Sequence, residues 1–441
     1  MMQAVYKTAR DFFALEKMSD VFYFGFLSLV GIVLLFCIFF VKSQAVIQFE
    51  HSPILLAYTI LITTFELSRL AGAIFYQRIN RAISRPSTRL YEPTVTFVIP
   101  CKNEGEAIEN TITKCFQADY PKEKLEVIII NDGSTDNTID VIRMMQRRYP
   151  ELIVVDWKQN RGKRHGMAEG FRRAQGEIVV QLDSDSFIKP DTFREMIKPF
   201  RHPEIGAVCA HADPANADTN IITRMQAAYY FMSFRILKAA ESTFLTVFCC
   251  SGCSSAYRKS AVLPILDKWL NERFWGKVVT WGDDRSLTSW VLRAGLKTMY
   301  THKAQAYTIC PDSFRTLVKQ QVRWKKSWII NSYFTSRFIY KKQPFVAFTY
   351  FFPLILVTLA TPIMAIKALI INPLYYSILP FYYLFGTFLL ASLFTIYYRG
   401  LSRENKFWPY VFAWSILNTF FLSFILVYAA LTLQNRKWGT R

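Results

Sequence analysis

Paired cysteines are missing from this chain. Its eight, Cys37, Cys101, Cys115, Cys209, Cys249, Cys250, Cys253 and Cys310, lack the paired spacing of a disulfide scaffold. Cys250-x-x-Cys253 is half of a metal or redox motif with no second half. The 5 histidines are scattered, which argues against structural zinc. The central region is therefore expected to be reduced and cytosolic. Acidic residues are also scarce: 33 Asp and Glu stand against 53 Lys and Arg, a net charge of +20. Such a surplus raises nucleic-acid binding as a reading. No recognition-helix, finger or RNP-like pattern accompanies it, so no nucleic-acid partner is expected. Charge of either sign is absent from Val21–Val41, which at ~20 residues is long enough to cross a bilayer. No clear small-residue cleavage site precedes that run, so an uncleaved anchor is expected rather than a signal peptide.

What the chain has in excess is apolar surface. Hydrophobic residues make up 52% and aromatics 16%, concentrated towards the two ends. That distribution points to membrane segments flanking a polar domain. Residues 1–20 form a short, mixed N-terminal region that could hold an interfacial helix, and 21–77 hold two spans. The second span contains Glu66 and Arg69, three apart on one helix face and able to pair. Arg78–Arg89 carries four arginines and no acid, as the cytosolic end of a span should. Residues 78–315 read as a cytosolic domain. In 316–343, seven Lys or Arg and no acid alternate with apolar and aromatic side chains at helical intervals. This suits amphipathic helices lying on anionic lipid. Residues 344–434 hold three further apolar stretches, the first of them liable to break at Pro353 and Pro362, and 435–441 form a basic tail. Three full spans would put that tail outside, against its charge. One stretch is therefore expected to be re-entrant, or the first to act as two short segments.

Between the spans, apolar strands alternate with amphipathic helices, which predicts a mostly parallel α/β sheet with right-handed crossovers. Ligands of such a sheet gather at the carboxyl ends of its strands. Pro100 ends one strand. Asn131-Asp132-Gly133 ends another, and Asp132 there suits a base or ribose, or simply an Asp-Gly turn. The run Glu177–Gln181 leads to Asp183-Ser184-Asp185, two carboxylates able to share a divalent cation and its phosphates. Lys163 and Arg164, in a predicted loop, could neutralise a diphosphate or be solvated surface. Cys250-Ser251-Gly252-Cys253 is a small-residue segment that allows close substrate approach. Gly282-Asp283-Asp284 opens a predicted helix. Asp284 is the preferred general base, Asp283 opposes its ionisation by like charge, and a plain acidic N-cap is the alternative. In Gln320-Gln321-Val322-Arg323-Trp324, Arg323 can clamp a diphosphate bidentately and Trp324 can stack on a sugar. A snorkelling surface arginine would explain the composition alone.

Taken together, Asp132, Asp183-Ser184-Asp185, Gly282-Asp283-Asp284-Arg285 and Gln320-x-x-Arg323-Trp324 between membrane segments resemble the processive family 2 glycosyltransferases. The hyaluronan synthases are the nearest match in motif. Asn160–His165 is similar to their Gln-Gly-Lys-Arg-His stretch, and Gly282–Thr288 to their Gly-Asp-Asp-Arg-x-Leu-Thr. The closing Trp438-Gly439-Thr440-Arg441 also recurs in bacterial members. The resemblance implies a GT-A fold beside a polymer channel, in the plasma membrane with several spans and a cytosolic catalytic domain. It implies a donor site made by Pro100, Asp132, Lys163, Arg164, Asp183, Asp185, Gln320 and Arg323, with Mg²⁺ or Mn²⁺ on Asp185. It also implies catalysis by Asp284 as base with Asp283, Arg323 and Trp324, and an acceptor site of Ser251, Gly252, Cys253 and Trp324.

The implied reaction is inverting transfer from UDP-sugars (UDP-GlcNAc and UDP-GlcA) to a growing polysaccharide, which is then moved across the membrane lipids. A chitin-like synthase using UDP-GlcNAc alone, a synthase of another uronate-containing polymer, and a nucleotide-sensing transporter are the rivals. Two positions depart from the hyaluronan synthase pattern: Cys253 stands where proline is typical, and Val322 stands where the Gln-x-x-Arg-Trp spacer is usually polar. Oligomeric state is not legible.

Overall fold

The computed structural model describes residues 20–41, 43, 53–83 and 91–435. The expected interfacial helix before residue 20, part of the arginine-rich exit and the closing Trp-Gly-Thr-Arg lie outside them. The chain groups into two compact units, one of Met1–Thr64 with Ala360–Phe420, the other of Phe65–Leu359 with Phe421–Arg441.

The first unit is helical. Among the described residues, four helices are long and apolar enough to cross a membrane: Asp20–Val41, Pro53–Ile83, Pro344–Tyr376 and Phe381–Leu401. Tyr410–Leu422 and Ile425–Leu431 form a further pair, bent by 40°. Large apolar side chains such as Phe22 and Phe36 are each 72% exposed, as on a helix that faces lipid rather than water. Within the unit, Leu55 and Tyr58 pack with Met364 and Ala368. Arg403 pairs with Asp20 at 3.0 Å.

Two expectations about the spans need correction. The break falls in the last apolar stretch, not the first. Pro353 does not interrupt Pro344–Tyr376, because a π-helical turn over Ala347–Phe351 precedes it, which re-spaces the backbone bonds that proline cannot make. The carbonyl four residues before Pro353 belongs to Thr349, and Arg69 Nη2 donates to it at 3.4 Å. Nor do Glu66 and Arg69 form an ion pair. Arg69 instead lies over the rings of Phe65 and Tyr350, 4.2 and 3.0 Å from their centroids.

The second unit is built on an eight-stranded sheet. Its strands in chain order are β1 (Val95–Cys101), β2 (Leu125–Asp132), β3 (Ile153–Trp157), β4 (Ile178–Gln181), β5 (Ser186–Ile188), β6 (Ile205–Pro214) and β7 (Ser255–Arg258). A separate two-stranded hairpin follows, β8 (Arg273–Phe274) with β9 (Lys277–Val278), and β10 (Lys297–Thr308) completes the large sheet. The spatial order is β3-β2-β1-β4-β7-β6-β10-β5. β1 pairs in parallel with β2 and β4, β2 with β3, and β6 with β10, whereas β7 and β5 run antiparallel to their neighbours.

The reason lies in the sequence. β1 and β4 are mostly apolar and buried at every position, as strands covered on both faces must be. Hairpin β8–β9 and strand β5 are two or three residues long, too short to leave a periodic signal. β10 runs on to Thr308, because its C-terminal half, Gln305–Thr308, pairs with β6 beyond a register shift after Thr301.

Candidate active site

Most of the acidic and basic segments enter from a strand end or a helix start. β2 ends at Asp132, which is 3% exposed. Its two carboxylate oxygens accept the backbone N–H of Arg161 at 2.6 Å and of Gly162 at 2.9 Å. Burial pushes this carboxyl up, against those two bonds. Asp132 thereby shapes the loop that starts the helix Lys163–Arg173. Pro100, at the end of β1, packs against that helix. A Cβ on Gly166 would meet the proline Cβ at 2.9 Å, so the glycine permits the close approach.

The helix start sends its two basic residues in different directions. Lys163 Nζ lies 2.5 Å from Asp183 Oδ1. Burial works against its charge, but Asp183 and Asp283 hold it above the usual lysine range. Arg164 is 6% exposed and turns inward. Its Nε donates to Asp283 Oδ1 at 3.0 Å, its Nη1 donates to the Trp269 carbonyl at 3.0 Å, and Glu272 Oε2 lies 3.8 Å away. Thus the structure brings Lys163 to the carboxylate cluster and takes Arg164 away from it. Burial pushes the carboxyls of Asp283 and Glu272 up, while Arg164 pulls both down.

Asp183 lies just past β4. Gln181 Nε2 donates to its Oδ1 at 3.1 Å, and its own N–H donates to the Gly252 carbonyl at 3.1 Å. Asp185 Oδ1 accepts from Ser186 Oγ at 3.1 Å. These carboxylates are hard oxygen donors suited to Mg²⁺ or Mn²⁺. Among the described residues no group of three or more His, Cys, Asp or Glu is arranged around a metal position.

Gly252 connects this cluster to the second acidic motif. A Cβ there would stand 2.9 and 3.1 Å from the two carboxylate oxygens of Asp183. Its N–H donates to Asp284 Oδ2 at 3.2 Å. Cys249 Sγ is 3.6 Å from the same oxygen. The Cys249 thiol is pushed up to about 12 by burial and by Asp284, so it stays protonated and donates. Asp284 Oδ1 accepts the N–H of Arg285 at 2.8 Å, as a carboxylate in a first helical turn can. Cys253 is 9% exposed, with Ser251 half-buried beside Gly252.

The helix Asp283–Arg293 begins at Gly282, whose φ of +71° lies in the left-handed region. A Cβ on it would collide with Ser327 Oγ at 1.9 Å, so this glycine lets the acidic motif press on the helix Phe314–Ser336. That helix carries Gln320, Arg323 and Trp324. Trp324 lies against Tyr229 and Tyr230, with centroids 6.5 and 6.3 Å apart. Gln320 Oε1 is buried without a hydrogen-bond partner, an unmet acceptor on the same helix.

A model of glycosyl transferase family 2 matches residues 96–265, the strands and loops from β1 to just past β7. A hyaluronan synthase of Streptococcus pyogenes serotype M3 is 30% identical over 368 residues, covering 80% of this chain and 86% of its own. The chain belongs to the family 2 glycosyltransferases. An N-acetylglucosaminyltransferase of Rhizobium meliloti is 31% identical over 258 residues, 58% of this chain and 60% of its own.

Among solved structures, a mannosyltransferase from Pyrobaculum calidifontis, in complex with GDP-Man and Mn²⁺, superposes with a TM-score of 0.52 at 20% identity. That match covers 86% of this chain and 99% of the mannosyltransferase. The sheet domain of this glycosyltransferase accordingly has the GT-A fold, and its apolar helices make it a membrane enzyme.

Sequence reasoning did not single out Cys249, Glu272, Tyr229 or Tyr230 in this glycosyltransferase. Cys249 reads only as one of eight cysteines without paired spacing. Glu272 sits beyond a short helix with no motif around it, and no motif includes the two tyrosines.

Proposed function

We propose that the chain is a processive, inverting hyaluronan synthase-like enzyme that joins UDP-GlcNAc and UDP-GlcA and moves the product across the plasma membrane. The observation that carries this reading is Gly252, flanked by Asp183 on the donor side and by Asp284 on the other. One small residue in contact with both carboxylates sets how close the donor side and the base can come. The hyaluronan synthase relative supports the polymer, and the mannosyltransferase complex with Mn²⁺ supports a divalent cation.

In the proposed site Asp132 shapes the nucleotide side and Pro100 sets its floor. Asp183 stands on the donor side, Asp185 would hold Mg²⁺ or Mn²⁺, which when bound would neutralise charge on UDP, and Lys163 and Arg323 add positive charge there. Asp284 takes the proton of the attacking hydroxyl. Trp324, with Ser251, Gly252 and Cys253, orients the acceptor. Asp283 and Arg164 act from beneath, by fixing the two helix starts. Residues 78–315 form the cytosolic catalytic part and 316–343 its interfacial helices. The arginines after the second span support that orientation.

The test is UDP release and product size from purified protein with Mg²⁺ or Mn²⁺, giving each UDP-sugar alone and then in pairs. Long, hyaluronidase-sensitive polymer only with both donors supports the reading. Polymer from UDP-GlcNAc alone replaces it with a chitin-like synthase, the reading that the N-acetylglucosaminyltransferase relative favours. Chelation with EDTA should stop UDP release and either cation should restore it. Release unaffected by EDTA overturns the role given to Asp185.

A further inference from the structure

Residues Phe248–Gly252 are gripped from two sides. The first grip is the site already described: Cys249 Sγ and the Gly252 N–H both reach Asp284 Oδ2. Cys250 N–H adds to it by donating to Thr288 Oγ1 at 2.9 Å, and that hydroxyl donates to the Asp284 carbonyl at 2.7 Å.

The second grip comes from helices with no place in the chemistry. Glu241, 9% exposed, accepts the Phe248 N–H on Oε2 at 3.1 Å and the Tyr350 hydroxyl on Oε1 at 2.9 Å. Tyr350 belongs to the helix Pro344–Tyr376. Arg69, from Pro53–Ile83, covers the Tyr350 ring. The Phe248 ring packs on Tyr350 and Phe351, with centroids 5.8 and 5.0 Å away. Lys238 Nζ donates to the Cys249 carbonyl.

We propose that Glu241 is a positioning residue that anchors the segment Phe248–Gly252, and through it Asp284, to the membrane helices by way of Tyr350. The argument is one of donors and acceptors. Phe248 lies outside any helix or strand of the sheet, so its N–H has no ladder partner, and leaving it unmet in a buried place is costly. A carboxylate has two oxygens. Glu241 gives one to the segment and one to a span, so neither can shift without leaving an unmet polar group. Burial pushes the Glu241 carboxyl up, and Lys238 and the Tyr350 hydroxyl pull it back. The segment that touches both Asp183 and Asp284 is therefore held to the helices beside which a polymer must pass. Loosening it should impair transfer and retention of the chain more than donor capture.

This inference rests on Asp284 acting as base. The experiment compares Tyr350→Phe, Glu241→Ala and Glu241→Gln in the purified full chain, with Asp284→Asn alongside. Tyr350→Phe removes a single hydroxyl and keeps the ring. It should lower kcat about five-fold, the equivalent of one buried hydrogen bond. It should also shorten the polymer and leave donor KM within about two-fold. Glu241→Gln, which keeps an acceptor for the Phe248 N–H, should retain more activity than Glu241→Ala.

Unchanged kcat and product length in Tyr350→Phe overturn the proposal. So does Glu241→Gln failing as badly as Glu241→Ala. So does a loss confined to donor KM. Normal elongation by Asp284→Asn would remove the base instead. Product length in Tyr350→Phe would still judge the anchor separately.

Discussion

Two helix starts in this enzyme carry charged doublets, and the doublets are built alike. At Lys163-Arg164 the first residue meets Asp183 and the second is buried. At Asp283-Asp284 the first is buried and the second meets Gly252 and Cys249. The two buried members find each other, Arg164 Nε at 3.0 Å from Asp283 Oδ1, with Glu272 close by. The two outward members line the candidate site. Adjacent residues of like charge thus have opposite uses. One locks two helices together in a dry layer, and its neighbour is left free to do chemistry. The difference comes from burial, because a charge in the interior must be paired whereas a half-exposed one can change partners.

The sharpest way to break that comparison is to neutralise each aspartate in turn. Asp284→Asn should lower elongation by about 10²–10⁴-fold, the usual worth of a general base, with UDP binding and melting temperature preserved. Normal elongation would remove Asp284 as base. Gly252→Ala comes next. Its new Cβ, 2.9 Å from Asp183 Oδ1, should push the carboxylate aside and lower turnover by about 10²-fold, since a misplacement near 1 Å has that effect. Turnover within two-fold of the parent would show that the two carboxylates do not depend on the glycine.

Asp283→Leu and Arg164→Met each break the buried pair and should cost about 3–5 kcal/mol of stability, read as a lower melting temperature. The double replacement should recover part of it, because the two charges leave together while Glu272, 3.8 Å from Arg164, still loses its buried cation. If the double variant melts no later than either single one, the pair is not the lock described above.

The sequence displayed the frame of the fold and the motifs of the site, but not the direction in which each motif residue points. Buried strands such as Val95–Cys101 and the acidic motifs could be read from their residue order alone. Which member of a doublet turns inward could not, because it depends on Trp269 and Glu272, more than 100 residues from Arg164 along the chain. Likewise, Glu66 and Arg69 looked like a pair at helical spacing. The carbonyl freed by Pro353 and the ring of Tyr350, both distant in sequence, hold Arg69 instead. The GT-A sheet was legible because its parallel core is made of continuous apolar runs. Hairpin β8–β9 was not, because two-residue strands have no period.

Lys163 is where the comparison yields its smallest and most specific effect. Its ammonium occupies Asp183 Oδ1, an oxygen that a cation would also use, and is itself a charge that a diphosphate would use. Lys163→Gln should therefore act in two directions at once. With the ammonium gone, Asp183 attracts a divalent cation more strongly, so half-maximal activity should need less Mg²⁺ or Mn²⁺. With one positive charge fewer beside the diphosphate, donor KM should rise, by up to about five-fold for a partly exposed pair. Titrating each variant with cation at fixed donor, and then with donor at saturating cation, separates the two. A rise in donor KM without any fall in the cation requirement would show that Lys163 serves the diphosphate alone. Its bond to Asp183 would then be a resting contact, with no competition for the metal.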